Sequence, residues 1–346
     1  LALRTCGDAG GRRGRSRVVA GGRAVKAWVL TKPGRGGVAE VRSPVAGRHD
    51  TLLRVRACAL CGTDAKAWAH GHRDLRPPRI LGHEICAEDP RSGRRFVVWP
   101  GSGCGSCGNC VSLNGSLCQS TRILGFHRDG GLAERLAAPT ASLVPVDDAI
   151  PDALAALAEP TACALNGIET AFVKRGDRVL IVGGGPVGLL AALAARDASA
   201  EPFVLEARSE RLDRSAEFRE RLGIQAGTEP PRGEFDAALN AAPDPAGVDR
   251  PLALLRAGGH FAFFSGMPSD AGVPARTLNE AHHRRLTVHG AYGCTRDQMV
   301  KALAVIGAHR EAAASLVDAE IPLDDVTDAL PRLLAGDAMR LVVRPA

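Results

Sequence analysis

Aromatic side chains are scarce in this sequence: 4% of its 346 residues are phenylalanine, tryptophan or tyrosine, and one residue is tyrosine. Proteins that bind single-stranded nucleic acid usually stack bases on aromatic side chains, so this scarcity argues against that class. The sequence also lacks an uninterrupted apolar run long enough to cross a bilayer, and its N-terminus lacks the apolar core of a secretory signal. We therefore expect a cytoplasmic protein that binds neither nucleic acid nor membrane.

The net charge of +6 owes much to the first stretch, LALRTCGDAGGRRGRSRVVAGGR, which carries six arginines among glycines. This stretch has little apolar periodicity, so we expect residues 1–24 to form a disordered basic extension. An arm that binds nucleic acid or another anionic surface is the alternative. Because basic runs alone are weak motifs, we favour a solvated tail.

Four cysteines fall within GSGCGSCGNCVSLNGSLC at a C-x2-C-x2-C-x7-C spacing. Two disulfides would fit a small secreted domain, whereas 45% apolar composition over this length is enough for a large core. The spacing instead suits Zn²⁺, for which four thiolates form a closed tetrahedral site. An iron–sulfur cluster is the rival. A closed site leaves no position for substrate, so we predict a structural zinc held by Cys104, Cys107, Cys110 and Cys118.

Secondary-structure patterns divide the rest of the chain. Runs such as AVKAWVL and TLLRVRACAL read as strands between Gly and Pro turns, while residues from Ala149 onward alternate helices and buried strands. Such alternation predicts a parallel sheet covered by helices. The fold class expected is therefore α/β, with a mostly-β lobe before the parallel sheet.

A glycine turn lies between the strand VLIV and the helix LLAALAA. Its pattern, G-x-G-x-x-G, is common by chance, but this strand–turn–helix context is the one a dinucleotide-binding fingerprint requires. The first glycine permits the turn, the second lets the backbone approach a pyrophosphate, and the third allows close helix packing. The helix N-terminus offers free N–H groups to the phosphates. The predicted cofactor-binding residues here are Gly183, Gly185, Pro186, Val187 and Gly188.

An acidic residue, Glu206, ends the next strand eighteen positions after Gly188. A carboxylate there accepts hydrogen bonds from the adenosine ribose hydroxyls and repels a 2′-phosphate, which favours NAD over NADP. Arg208 and Arg211 follow closely and suit adenine stacking or a 2′-phosphate. We predict NAD as the cofactor, with Glu206 and Arg211 in its site.

A second zinc site is suggested by ALCGTDAKAW and ILGHEI. Cys61 and His83, with Glu84 beside the histidine, are plausible ligands, and Asp64 can orient the histidine. Glu159 is a candidate third ligand, because a carboxylate in an apolar helical stretch needs a metal or a partner. Three protein ligands and one open position would make a catalytic site.

Together these segments resemble the zinc-dependent medium-chain alcohol and polyol dehydrogenases. The likeness extends from about Val25 to the C-terminus and comprises CGTD, GHE, the four-cysteine lobe, AEP, GGGPVG and the terminal LVVRP. The phrase AEPTACALNGIE is similar to the sorbitol and threonine dehydrogenase branches. The resemblance implies a GroES-like catalytic domain over residues 25–158, a Rossmann domain over 159–292 and a return to the catalytic domain over 293–346.

The resemblance also implies roles for individual residues. Family zinc ligands map onto Cys61, His83 and Glu159, with Glu84 as an alternate or exchangeable ligand. Thr63 stands where the family begins a proton relay, and Lys66 occupies a position where some relatives place a relay histidine. A homodimer or homotetramer is implied.

The function expected is hydride transfer from the secondary alcohol of a polyol, sugar, cyclitol or hydroxy-amino acid to NAD⁺, with one catalytic and one structural zinc per chain. An NAD(P)H-dependent enoyl or quinone reductase of the same superfamily is one alternative. Such reductases generally lack the catalytic ligands and the cysteine lobe. A nucleic-acid-binding protein built on the zinc lobe is the other alternative, but it leaves the glycine fingerprint unexplained.

Overall fold

The computed structural model describes residues 24–112, 117–244, 246–267 and 271–345. The predicted basic extension, residues 1–24, lies outside the described residues apart from Ala24, which begins the first strand. Within these ranges, no helix combines the length and apolar character needed to cross a membrane.

The first lobe consists mainly of antiparallel strands. Its main sheet has the strand order β10-β6-β5-β3-β18-β17, with β9 also paired to β3, and a smaller sheet has the order β2-β1-β4. Trp28 on β1 lies fully inside this lobe, where its indole Nε1 donates to Thr327 Oγ1 at 2.9 Å. The strands are β1 (Ala24–Lys32), β2 (Arg35–Arg42), β3 (Asp50–Ala59), β4 (Arg79–Ile80), β5 (Glu84–Glu88), β6 (Arg95–Val98), β7 (Gly101–Ser102), β8 (Arg122–Ile123), β9 (Arg135–Pro139) and β10 (Leu143–Pro145).

The α-helices among the described residues of this lobe are α1 (Gly62–His70), α2 (Gly108–Val111) and α3 (Asp152–Ala155). The short strands β7 and β8 pair with each other and flank the four-cysteine segment.

The second lobe is a parallel six-stranded sheet with the order β13-β12-β11-β14-β15-β16. In chain order this is 3-2-1-4-5-6, the doubly wound arrangement that binds dinucleotides, so the predicted fold class is confirmed. Its central strands β11, β12 and β14 are mostly buried and apolar because helices cover both faces of the sheet. The elements are α4 (Ala158–Thr170), β11 (Arg178–Val182), α5 (Pro186–Asp197), β12 (Glu201–Leu205), α6 (Ser209–Arg214), α7 (Ala216–Leu222), β13 (Gln225–Gly227), β14 (Phe235–Asn240), α8 (Ala246–Leu254), β15 (Leu255–Phe263), α9 (Ala275–His283) and β16 (Thr287–Gly290).

The C-terminal segment returns to the first lobe. Strand β18 pairs antiparallel with β3 and parallel with β17, so the end of the chain completes the sheet that its first third began. The elements are α10 (Arg296–Ala308), α11 (Arg310–Ala314), β17 (Val317–Pro322), α12 (Val326–Ala335) and β18 (Arg340–Arg344).

Asp152, at the start of α3, joins three strands of this sheet. Its carboxylate accepts hydrogen bonds from Arg56 at 3.2 Å, Arg95 at 2.8 Å and Arg344 at 3.0 Å, and the residue is 8% exposed. Burial opposes ionisation, but these guanidinium groups hold the pKa of Asp152 below its ordinary value of 3.8.

Replacing Asp152 with asparagine is therefore expected to lower the free energy of unfolding by about 2 kcal/mol at pH 7, a figure reduced from the buried-pair range because the three arginines keep solvent contact. A depressed pKa stabilises the fold fully above pH 3.8, and this contribution disappears as the pH falls through the lower folded value. Urea unfolding of both proteins at pH 7, 5 and 3 measures the difference.

The matched control is Asp148→Asn, because Asp148 lies 3.7 Å from Arg95 but its side chain is fully exposed. This variant should unfold like the wild type. An Asp152→Asn difference that grows on acidification would contradict the electrostatic explanation.

Candidate active site and metal centres

The four lobe cysteines converge as the spacing predicts. Their sulfurs are 4.0 Å apart for Cys104 and Cys110, 3.6 Å for Cys107 and Cys110, and 3.8 Å for Cys107 and Cys118. A disulfide would need about 2.05 Å, whereas ligands of a tetrahedral zinc with Zn–S bonds of about 2.3 Å lie about 3.8 Å apart. The geometry therefore fits a metal and not a pair of disulfides.

The loop backbone of the lobe also favours thiolates. Hydrogen bonds from the backbone N–H groups of Ser106 and Cys107 lower the pKa of Cys104 to about 6. At Cys110 the Gly105 amide has the same effect, but burial and neighbouring thiols outweigh it and raise the pKa to about 11. Four sulfurs this close cannot all ionise without a cation between them, which a bound Zn²⁺ provides.

Cys61 lies at the N-terminus of α1, where the sequence C-G-T-D forms a capping box. Its sulfur accepts the Thr63 N–H at 3.4 Å, and the Asp64 carboxylate accepts the Cys61 N–H at 3.0 Å. The thiol of Cys61 also lies 3.5 Å from the Thr63 hydroxyl. Thr63 and Lys66 are both exposed on α1.

His83 is brought to Cys61 by a sharp turn at Gly82, whose φ is +93°, a conformation that favours glycine. The ring Nδ1 lies 3.4 Å from Asp64 Oδ1 but is not aligned for a hydrogen bond, and both residues are buried. Burial opposes protonation of His83, yet the neighbouring Asp64 and Cys61 raise its pKa well above the ordinary value. Positive charge at this buried ring is thus stabilised by the residues around it.

Glu84 completes this group. One donor atom from each of Cys61, His83 and Glu84 lies within 4.8 Å of the other two, a separation that one zinc ion can bridge. Both carboxylate oxygens of Glu84 accept from Arg340 Nη1 at 2.8 Å, and both residues are almost fully buried. Arg340 is a site residue outside the predicted set, although a single basic residue heading the apolar run LVV was an available signal.

Glu159 takes a different set of neighbours. Among the described residues, its carboxylate groups with the sulfurs of Cys163 and Cys294 and not with Cys61 and His83. The thiol of Cys163 donates to Glu159 Oε1 at 3.3 Å. Hydrogen bonding with Cys294, burial and the Glu159 charge raise the pKa of Cys163 well above its ordinary value. The structure therefore brings Glu84, and not Glu159, to the predicted pair.

The glycine turn forms between β11 and α5 as its context predicts. Gly183 has a φ of +110°, and a Cβ on Gly188 would overlap the Gly183 carbonyl oxygen, so both positions require glycine. A Cβ on Gly185 would meet nothing within 4 Å, which leaves open space at the helix N-terminus. Pro186 and Val187 begin α5. This space is where a pyrophosphate would lie.

Glu206 lies at the end of β12, beside the turn. Its carboxylate accepts the Gly184 N–H at 2.7 Å and the Arg208 N–H at 3.0 Å, and Arg211 Nη1 lies 3.7 Å away. The residue is 5% exposed. One carboxylate thus fixes both the turn and the segment that would surround an adenosine ribose.

Comparisons with known proteins agree with this architecture. The family model for the alcohol dehydrogenase GroES-like domain matches residues 47–148. An L-threonine 3-dehydrogenase of Vibrio parahaemolyticus is 30% identical over 301 residues, covering 78% of this chain and 84% of that protein. An L-galactonate-5-dehydrogenase of Escherichia coli K12 is 34% identical over 207 residues, covering 57% of this chain and 59% of its own length. The match thus spans about three fifths of the length of some curated relatives.

A solved structure described as a zinc-binding dehydrogenase, from Sinorhizobium meliloti 1021 and bound to NADP, is 27% identical with a TM-score of 0.83, covering 93% of this chain and all of that one. The chain belongs to the zinc-type medium-chain dehydrogenase/reductase family. The resemblance inferred from the sequence is confirmed.

Replacing Cys107 with serine is expected to release one zinc per chain, because the closed lobe loses one of its four thiolates. Metal analysis after gel filtration measures the content, and thermal unfolding should shift to lower temperature because a structural metal contributes folding energy. Ser112→Ala is the control, since Ser112 lies in the same lobe and is not one of its four donors. Unchanged zinc content in the Cys107 variant would contradict the assignment.

Proposed function

We propose that this chain is a zinc-dependent oxidoreductase that converts a secondary alcohol to a ketone with NAD⁺. The observation that carries the proposal is the convergence of Cys61, His83 and Glu84 within 4.8 Å, in a chain whose glycine turn offers an open helix N-terminus. The relatives named L-galactonate-5-dehydrogenase and L-threonine 3-dehydrogenase support a polyol, sugar, cyclitol or hydroxy-amino acid as the substrate class.

The residues present fit a catalytic zinc. A thiol at a helix N-terminus, a buried imidazole and a buried carboxylate are ordinary zinc donors, and a group of three leaves a position open. When bound, zinc supplies Lewis-acid polarisation of a substrate hydroxyl. We assign Cys61, His83 and Glu84 as the holding set, with Glu159 as an exchangeable fourth candidate whose charge interacts with that of Glu84.

Nearby residues of α1 orient the ligands and move the proton. Asp64, fully buried, accepts from the Cys61 and Gly82 backbone amides and faces the His83 ring, so it fixes both ligands. The Thr63 hydroxyl, beside the ligand sulfur and exposed, is placed to take the substrate proton toward solvent. Lys66 lies three residues further on the same helical face and continues this path.

The dinucleotide is assigned to the turn between β11 and α5, where it would serve as hydride acceptor. Gly183, Gly185 and Gly188 leave room for the pyrophosphate, and the first turn of α5, with Pro186 and Val187, presents its N–H groups. Glu206 is the ribose ligand, and its charge favours NAD over NADP. Arg211 balances part of that charge.

The enoyl or quinone reductase alternative receives less support, because both the Cys61 group and the four-cysteine group are assembled. We also propose the domain division 25–158, 159–292 and 293–346, since β18 of the last segment pairs with β3 of the first. A homodimer or homotetramer through the edge strand β16 is part of the proposal, because Val288 on this edge is 52% exposed.

Metal analysis of the purified chain, combined with a screen for NAD⁺ reduction, tests the proposal. The screen covers polyols, cyclitols, sugar acids, threonine and simple alcohols. Turnover is measured from the absorbance of the reduced nicotinamide. Zinc beyond the one equivalent of the cysteine lobe, with turnover on at least one substrate class, supports the proposal. Zinc confined to the lobe and no oxidation of any alcohol would overturn it.

Replacing Cys61 with serine or His83 with alanine should reduce turnover at least a thousandfold. The reason is that the lost Lewis acid would stabilise the transition state by roughly several kcal/mol. NAD binding, measured by calorimetry, should persist since the glycine turn lies in the other lobe. His282→Ala, an exposed histidine on α9, is the control and should remain active. Full activity in a verified zinc-free His83 variant would contradict the mechanism.

Replacing Glu206 with glutamine should lower the preference for NAD over NADP, given as the ratio of kcat/KM values, by about tenfold. The change keeps an acceptor for the Gly184 N–H but removes the charge that repels a 2′-phosphate and strengthens ribose hydrogen bonds. Glu201→Gln, exposed at the start of the same strand, is the matched control. A wild-type enzyme that already prefers NADP would refute the assignment.

A further inference from the structure

A row of three rings leads away from the candidate zinc ligand His83. The Phe126 ring lies 5.5 Å from the His83 ring and 4.9 Å from the His72 ring, measured between centroids. Phe126 is 6% exposed, and its contact with His72 is T-shaped, an arrangement that aromatic rings prefer. Phe126 therefore positions a second histidine two ring contacts from the candidate site, and no step of the proposed reaction uses that histidine.

A backbone contact fixes the tautomer of His72. Its Nδ1 accepts the Asp74 N–H at 3.2 Å, so the proton of the neutral ring lies on Nε2. Burial lowers the pKa of His72 below its ordinary value of 6.5, the Asp74 charge opposes this shift, and Arg73 and His127 reinforce it. The ring is therefore neutral at pH 7 and offers one N–H donor.

This donor is available to a ligand. Within the described part of the chain, the hydrogen bond made by the His72 ring is the one at Nδ1, which leaves the Nε2–H without a protein acceptor. The His72 side chain is 31% exposed, so a small molecule can approach it. A donor held in one orientation beside a candidate active site is suited to recognising an oxygen atom.

The segment that carries His72 lies in the cleft between the two lobes. It follows α1 of the first lobe and includes Arg73 and Asp74. Tyr292, which follows β16 of the second lobe, lies within electrostatic range of Asp74, Arg73 and His83. Tyr292 is 74% exposed, so this part of the cleft is accessible. His72 therefore lies beside the opening that leads to the candidate zinc ligands.

We propose that His72 is a specificity-determining residue, whose Nε2–H donates to a substrate oxygen remote from the carbon that is oxidised. This inference rests on the proposed function and narrows its substrate class. Because Phe126 lies between the rings of His72 and His83, that oxygen must lie several bonds along the substrate from the reacting carbon. Polyols and sugar acids carry such an oxygen, as a hydroxyl or a carboxylate, whereas a simple secondary alcohol does not.

Steady-state kinetics with matched substrates test this proposal. The probes are sorbitol and xylitol as polyols, gluconate and galactonate as sugar acids, and 2-butanol as an alcohol without a second oxygen. His72→Leu removes the donor but keeps an apolar side chain against Phe126. It should lower kcat/KM about tenfold for the best polyol or sugar acid, mainly through a higher KM, because one neutral hydrogen bond is lost. The kcat/KM for 2-butanol should stay close to that of the wild type.

Two further variants separate a donor from a merely structural residue. His72→Gln keeps an N–H donor and should recover most of the lost kcat/KM, a rescue that a structural role would not produce. His70→Asn is the matched control, because His70 is exposed two positions earlier and should leave the kinetics of all probes unchanged. Thermal unfolding of each variant reveals a folding defect separately.

The outcomes distinguish failure of this inference from failure of the proposed function. If the wild type oxidises 2-butanol as efficiently as every polyol and sugar acid, or if His72→Leu lowers all kcat/KM values equally, the role of His72 is refuted and the dehydrogenase function stands. If the wild type oxidises no alcohol at all, the proposed function fails and the role of His72 fails with it.

Discussion

The buried guanidinium of Arg340 determines where the candidate catalytic ligands lie. Its Nη1 contacts both carboxylate oxygens of Glu84 at 2.8 Å and the Leu60 carbonyl at 3.2 Å. Leu60 precedes Cys61, and Glu84 follows His83. One side chain from the last strand of the chain therefore fixes the backbone beside one ligand and the carboxylate beside the other.

The buried Arg340–Glu84 pair affects the conformational specificity of the fold more than its net stability. Moving a carboxylate and a guanidinium out of water costs free energy that their attraction only partly returns, so a buried pair is weak evidence of a stable fold. What the pair does provide is register, because β18 must pair with β3 for Arg340 to reach Glu84. Any strand slip would leave two buried charges without partners, a state that is strongly unfavourable.

Local features could be predicted from the sequence, whereas long-range ones could not. The cysteine lobe and the glycine turn depend on residues within about one turn or loop of each other, so their spacing alone specifies their geometry. Which glutamate, Glu84 or Glu159, joins Cys61 and His83 depends on how α4 packs against the first sheet. The spacing of residues along the sequence does not specify that packing. Arg340 was missed because its partner is 256 positions away.

Helix α4 contacts both lobes, packing on β5 of the first and on α5 and β15 of the second. Its N-terminal half carries Glu159 and Cys163, while Asn166 anchors the segment that holds Cys294. Further along, Gly167 packs so closely on Leu239 that a Cβ there would collide with it. Helix α4 thus contacts the Rossmann sheet through Gly167, which has no side chain. Its other end carries the donor side chains of Glu159 and Cys163.

The group that contains Glu84 and the group that contains Glu159 differ in how the charge of the carboxylate is balanced. This difference explains why each carboxylate remains with its own group. Glu84 is neutralised by Arg340 even without a metal, so its position is set by the protein. The Glu159 carboxylate accepts from the Cys163 thiol, which is a weaker partner than a guanidinium. Arg340 therefore sets the difference between the two groups.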